Sequence, residues 1–228
     1  MTDLRVVIAT PHARHDDLEL AVRELLGVEV LRLRAASELD LSILADFRPR
    51  FIFFPHWSWR IPSDIAEAYE CVIFHMTDLP FGRGGSPLQN LIVRGIDETQ
   101  LTALRCVAAL DAGPIYIKRP LSLYGTAEEI LLRAARLTGE MIQSIVREQP
   151  TPQPQVGEPT IFHRRIQQDG NLADLDELEK AFDYIRMLDA DGYPSAFVET
   201  KHFRLEFSRA SLKSDSIIAD VRIARKTP

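Results

Sequence analysis

Cys71-Val72-Ile73-Phe74-His75-Met76-Thr77-Asp78-Leu79-Pro80-Phe81-Gly82-Arg83-Gly84-Gly85-Ser86-Pro87-Leu88-Gln89-Asn90 joins an apolar run to a stiff, glycine-rich loop, with a histidine at the junction. The apolar run reads as a buried strand that delivers His75 at its end. Ligands bind at strand ends in α/β proteins. Glycines at 82, 84 and 85 let the backbone approach a ligand closely or take a positive φ. A titratable side chain followed by such a loop reads as a site and not as core.

Upstream, residues 4–9 read as a first strand. Residues 16–26 carry Leu18, Ala21, Val22 and Leu25 at helical spacing and stop at Gly27. Residues 28–33 are a second strand, 37–47 a helix, and 51–54 a third, fully buried strand ending at Pro55-His56-Trp57-Ser58-Trp59. A proline at position 62 opens a helix that reaches residue 69. With the strand at 71–74 this gives β-α-β-α-β-α-β, the pattern of a parallel sheet with helices on both faces, hence an α/β fold.

Downstream, residues 86–94 read as a helix. Residues 98–111 fit either a helix through Leu101, Leu104 and Val107 or a strand. Residues 114–118 are strand-like. Thr126 and Glu129 form a capping box for a long amphipathic helix. The proline-rich stretch 149–155 reads as an extended connector. It divides a domain of residues 1–150 from a small α+β appendage of residues 151–228, with a helix near 175–188 and strands near 196–207 and 216–225. No internal repeat is visible.

The chain has 228 residues and 46% hydrophobic content, enough for a sizeable core. No run of eighteen apolar residues is present, so no membrane span is expected. The first residues, Met1-Thr2-Asp3-Leu4-Arg5, lack a signal-peptide layout. Cys71 and Cys106 both lie in apolar segments, so a reducing cytoplasm is expected. The net charge of −6 argues against a partner bound through nucleic-acid phosphates. His12 and His15 have no third ligand at suitable spacing, so no metal is expected. A homodimer is left open.

The segment 75–87 resembles the signature of formyltransferases that use N10-formyltetrahydrofolate. His75 matches the family histidine, and Leu79-Pro80 and Arg83-Gly84 match its loop. Leu110-Asp111-Ala112-Gly113-Pro114-Ile115 fits a second family motif about 35 residues later. The resemblance covers residues 50–150 well. It extends more loosely to Phe162-His163-Arg164-Arg165 and to residues 185–194. It implies a Rossmann-like strand order and His75 as general base, with Asp111 as its partner. It also implies a folate crevice lined by Phe54, Pro55, His56, Trp57, Leu79, Pro80, Phe81, Gly82, Arg83, Gly84, Cys106 and Val107. The loop at 83–90 is most similar to the branch acting on UDP-linked 4-amino sugars of the pseudaminic-acid route. That implies a nucleotide-sugar acceptor, a UDP-4-amino-4,6-dideoxy hexose, with Arg83, Arg164 and Arg165 as its contacts.

The chemistry agrees with the resemblance. Formyl transfer needs a neutral amine, and a histidine can take its proton near pH 7. An aspartate orients the imidazole and stabilises its cation. The attacked carbonyl needs a donor as its oxygen becomes negative. Here the chain departs from the family, whose asparagine falls on Ile73, a residue that cannot donate. Protonated His75, a backbone N–H, His56, Ser58 or Asn90 could supply the bond. Read alone, His75 is a satisfied strand-end histidine, Asp111 a turn residue, and Arg164-Arg165 a solvated pair. A tRNA-bound aminoacyl acceptor is disfavoured, because the segment after Pro150 is short and mixed in charge. A carrier-bound aminoacyl acceptor and a non-catalytic folate or sugar-nucleotide binding module are the other readings.

Overall fold

The computed structural model describes residues 4–226, the side chains of Leu25 and Leu26 excepted. The readings above for Met1, Thr2 and Asp3 and for the Leu25 side chain lie outside the described residues. In chain order the elements are β1 (Arg5–Ala9), α1 (Asp16–Leu26), β2 (Glu29–Leu33), α2 (Leu41–Phe47), β3 (Phe51–Phe54), α3 (Ser63–Ala68), β4 (Cys71–His75), β5 (Arg83–Gly84), α4 (Pro87–Ile92), β6 (Glu98–Arg105), β7 (Ile115–Ser122), α5 (Ala127–Glu148), β8 (Ile161–Phe162), α6 (Leu178–Arg186), β9 (Ala196–Glu199), β10 (Phe203–Leu212) and β11 (Ile217–Arg225).

Six strands form one sheet in the order β2-β1-β3-β4-β6-β7. The first four are parallel neighbours. β6 runs antiparallel to β4, with His75 opposite Thr102 and Val72 opposite Arg105, so the α/β sheet is mixed. Inner strands are covered on both faces and read as unbroken apolar runs. That holds for Val6–Ala9 and for Phe51–Phe54, all buried. It also settles residues 98–111. Leu101, Thr102, Ala103 and Leu104 are all buried. With no alternation left, their spacing imitated a helix.

The helices start and stop for local reasons. α1 buries Leu18 and Val22 and closes at Gly27, whose φ is 62°. The helix expected over 37–47 begins later, at Leu41, because the Asp40 side chain accepts from Ser42 N at 2.8 Å and caps it there. A separate 3₁₀ turn takes Ala36–Glu38. α5 has the expected capping box: Thr126 N donates to Glu129 Oε2 at 2.8 Å, and Glu129 N donates to Thr126 Oγ1 at 3.3 Å.

The chain divides into two compact units. The first takes the residues up to Arg83, Gln100–Leu121 and Leu132–Ile161. Its core on one sheet face joins Val7, Ala9, Leu33, Leu44, Ile52, Phe54, Ile65 and Cys71, with Trp57, Ile73 and Cys106 packed against them. The second takes Gly84–Thr99, Ser122–Leu131 and the residues from Phe162 onward. It holds α4, α6 and an antiparallel sheet in the order β11-β10-β9. Buried Arg186 organises it, with Nη1 donating to Leu123 O at 2.6 Å and to Gly125 O at 3.1 Å, and Nε donating to Asp183 at 2.6 Å. No helix among the described residues is long and apolar enough to cross a membrane.

Candidate active site

His75 ends β4 on the same face as Cys71 and Ile73, because side chains alternate along a strand. Its imidazole and the Asp111 carboxyl are both buried, each residue 8% exposed. Nε2 lies 2.8 Å from Gly82 O. A carbonyl can only accept, so the hydrogen-bond network assigns the proton of the neutral ring to Nε2. Nδ1 faces Asp111 Oδ2 at 3.6 Å, within reach of an ion pair but longer than a hydrogen bond. The loop that supplies Gly82 O is tied down. Thr102 Oγ1 donates to Thr77 O at 2.7 Å, and Lys118 Nζ donates to Leu79 O at 2.6 Å. The Leu79–Pro80 peptide is cis.

Asp111 arrives by an indirect route. β6 runs against β4, so its end meets the start of β4, where Cys106 N donates to Cys71 O at 2.8 Å. Residues 107–111 then return along β4 to His75. Asp111 sits in the left-handed region, φ 50°. Two residues on, a Cβ at Gly113 would lie 1.8 Å from Arg105 O, so only glycine fits this turn. The turn is held by Gln155, whose Nε2 donates to Asp111 O at 2.8 Å and to Gly113 O at 2.9 Å.

The other candidate residues separate into groups. Phe54, Pro55, Leu79 and Gly82 are buried; His56, Trp57, Pro80, Phe81, Arg83, Gly84 and Cys106 are half-buried; Val107 is exposed. Trp57 packs edge-on against Phe54 and Trp59, with ring centroids 5.6 and 4.8 Å away. Its indole Nε1 is buried and, among the described residues, has no hydrogen-bond partner. Cys106 sits beside Cys71, at the end of β4 away from His75. Arg83 is engaged inside the protein, donating through Nε and Nη2 to Gln155 Oε1 at 3.1 and 2.7 Å. Arg164 and Arg165 belong to the second unit. There Arg165 Nη2 donates to Asp169 O at 2.8 Å, and its guanidinium lies over Tyr184 at 5.3 Å.

The donors considered in place of Ile73 also separate. Ile73 packs in the apolar cluster. Ser58 is exposed. Asn90 Nδ2 is committed to Gly85 O, Ser86 O and His163 O at 2.9–3.1 Å. His56 is different. Burial pushes its pKa down to about 3, with neighbouring His12 and Arg14 adding to the effect. Arg14 Nη1 donates to His56 Nδ1 at 3.3 Å, so the neutral ring keeps its proton on Nε2. Phe54, the last residue of β3, pairs with Ile73, and His56 follows in the turn beyond it at φ 49°, its ring 4.3 Å from that of His12. Among the described residues, no group of His, Cys, Asp and Glu could hold a metal ion.

Sequence reading missed Gln155, which lay in a stretch read as a connector. The signal was there: prolines at 150, 152 and 154 hold the backbone extended, and an extended backbone can pair. Gln153 and Ile115 exchange both backbone hydrogen bonds, at 2.7 and 2.8 Å.

A mixed α/β sheet carrying a buried His-Asp pair at this strand end defines a class, and the chain belongs to the formyltransferase family. The particular proteins it is similar to are methionyl-tRNA formyltransferases. One solved structure, methionyl-tRNA formyltransferase from Clostridium thermocellum, is 45% identical, covers 98% of this chain and 100% of its own, and has a TM-score of 0.94. A family model described as the C-terminal domain of methionyl-tRNA formyltransferase matches residues 167–224. The methionyl-tRNA formyltransferase of Sulfurovum sp. (strain NBC37-1) is 25% identical over 178 residues, 75% of this chain and 57% of that protein. The chain thus spans about half the length of the curated relatives it matches. The formyltransferase PseJ from Anoxybacillus kamchatkensis, solved with a UDP-linked formamido sugar and tetrahydrofolate, is 19% identical with a TM-score of 0.56. It covers 69% of this chain and 85% of its own, a likeness of fold alone.

These findings correct two expectations. The nucleotide-sugar acceptor gives way, since the 45% identical structure and the curated relatives carry the other name. So does the expectation against a nucleic-acid partner. The motif around His75 concerns formyl transfer, which both branches perform, and so does not encode the acceptor. Net charge is a whole-chain average and carries no information about local fields. The short tail counted against tRNA includes the segment the family model matches.

Proposed function

We propose that this chain transfers a formyl group from N10-formyltetrahydrofolate to the free amine of an aminoacyl group carried on tRNA, methionyl-tRNA first. The observation that carries the reading is the 45% identity, over 98% of the chain, to a methionyl-tRNA formyltransferase. The residues at the ends of β3 and β4 suit the donor. Trp57 offers a flat, half-buried ring with an unsatisfied N–H, and the neighbouring loops are rich in backbone polar groups. When bound, the folate supplies an activated formyl carbon.

The residues then divide the work. His75 accepts the proton the amine loses; to do so at Nε2 the neutral ring leaves Gly82 O and carries its own proton on Nδ1, the nitrogen that faces Asp111, so that the amine's proton ends on Nε2. Asp111 holds the imidazole and balances the cation that forms. The neutral His56 directs its Nε2–H at the developing oxyanion, a role a neutral imidazole can fill. The test is incubation of the purified protein with N10-formyltetrahydrofolate and methionyl-tRNA. Formylmethionyl ester and free tetrahydrofolate are expected in equal amounts. Absence of both, with folded protein, overturns the reading.

A further inference from the structure

Gln155 uses its carboxamide completely. Oε1 accepts from Arg83 Nε and Nη2, and Nε2 donates to the carbonyl oxygens of Asp111 and Gly113. Two lone pairs and two hydrogens are all that such a group offers. Its orientation is fixed, because Arg83 only donates and carbonyls only accept. One end grips the turn in which Asp111 holds its left-handed φ of 50°. The other grips Arg83, the residue next to Gly82, whose carbonyl meets His75 Nε2. Gln155 therefore joins the two segments that face the two nitrogens of one imidazole. The segment bearing it is itself fastened on both sides: Gln153 pairs with Ile115, and Arg83 N donates to Thr160 O at 2.9 Å.

We propose that Gln155 is a positioning residue for formyl transfer, setting where the Asp111 carboxylate and the Gly82 carbonyl stand relative to His75. Arg83, at the other end of this link, shares this role. The proposal rests on the reading of His75 and Asp111 as the proton-transfer pair.

The test uses the whole chain, N10-formyltetrahydrofolate and methionyl-tRNA, with a melting curve for each variant. Gln155→Met keeps the volume and removes all four hydrogen bonds. Gln155→Glu keeps a partner for Arg83 and removes the two donors to the Asp111 turn. If Gln155→Met does not fold, Gln155→Glu carries the test. Each should lower kcat about ten- to a hundredfold, the scale of an error of about 1 Å in placing a catalytic group. KM should stay near its original value, because the loss belongs to the transition state. In an Asp111→Asn background the Gln155 change should cost nothing more. Additive losses, or a loss that falls on KM with kcat unchanged, overturn the proposal. Full activity in Gln155→Met alongside an inactive His75→Asn overturns it and leaves the reading of His75 standing. Full activity in His75→Asn overturns that reading itself.

Discussion

Ile73 is the partner of Phe54 across the parallel ladder of β3 and β4, and it packs against the same apolar cluster as Trp57 and Cys106. The position where the family has an asparagine is thus a partly buried apolar site packed against this core. Ile73→Asn should not raise turnover. It should lower stability by about 1–3 kcal/mol, the cost of burying an unpaired amide. Chemical denaturation and a formylation assay on the same preparation check both halves, and a faster enzyme would mean that Ile73 is only a missing donor.

His75→Asn should reduce turnover by at least about a hundredfold, the lower bound for a placed base. Folate affinity should change little, because the ring acts in the transition state. Single-turnover kinetics with titrated folate separate the two quantities.

His56→Phe keeps a ring beside His12 and removes the Nε2 proton. If that proton meets the oxyanion, kcat should fall by about a hundredfold or more, the usual result of removing one such donor. His56→Gln, which restores an N–H, should recover part of the loss. Equal rates for the two variants would exclude His56 from the role.

Gly113→Ala should cost more than about 2 kcal/mol, because the added carbon meets Arg105 O at 1.8 Å and the turn must deform. The same deformation moves Asp111, so activity should fall even below the melting temperature. A thermal melt with an unchanged midpoint would show that the turn yields.

Acid should weaken the fold. Burial pushes both His15 and His56 down to about 3 from the ordinary 6.5. The unfolded chain therefore binds protons below pH 6.5 that the folded chain refuses until about pH 3. Stability is full above pH 6.5 and falls as the pH drops through that window. His15→Leu, which cannot be protonated, should flatten the curve of melting temperature against pH between 6.5 and 4. An unchanged slope would remove His15 from the explanation.

The first four strands were legible because β1 and β3 are apolar on both faces and the turns between them carry glycine and proline. The strand end and glycine-rich loop singled out His75, but its pairing with Asp111 was legible only as a resemblance of motifs; nothing in the spacing of residues 71–115 reveals that they meet. The ambiguity at 98–111 had a physical source, since a strand buried on both faces loses its alternation. Arg83 was read as a contact of the acceptor, and its hydrogen bonds inside the protein were not legible. Its partner, Gln155, lies 72 residues away, beyond the reach of any local pattern. The tautomer of His56 depends on Arg14, on another strand's loop, and was illegible for the same reason.

The antiparallel course of β6 turns a length of chain into a ruler. From Cys106, pinned at one end of β4, the backbone has only residues 107–111 in which to travel back to the other end. An extended residue advances the chain by about 3.3 Å, close to the whole 3.6 Å between His75 Nδ1 and Asp111 Oδ2. One inserted or deleted residue in this span would overshoot or fall short by that much while leaving every strand intact. Among relatives of this fold, the tolerance of this return segment to changes in length should therefore be far lower than its tolerance to changes in residue type, the reverse of what an exposed loop ordinarily permits.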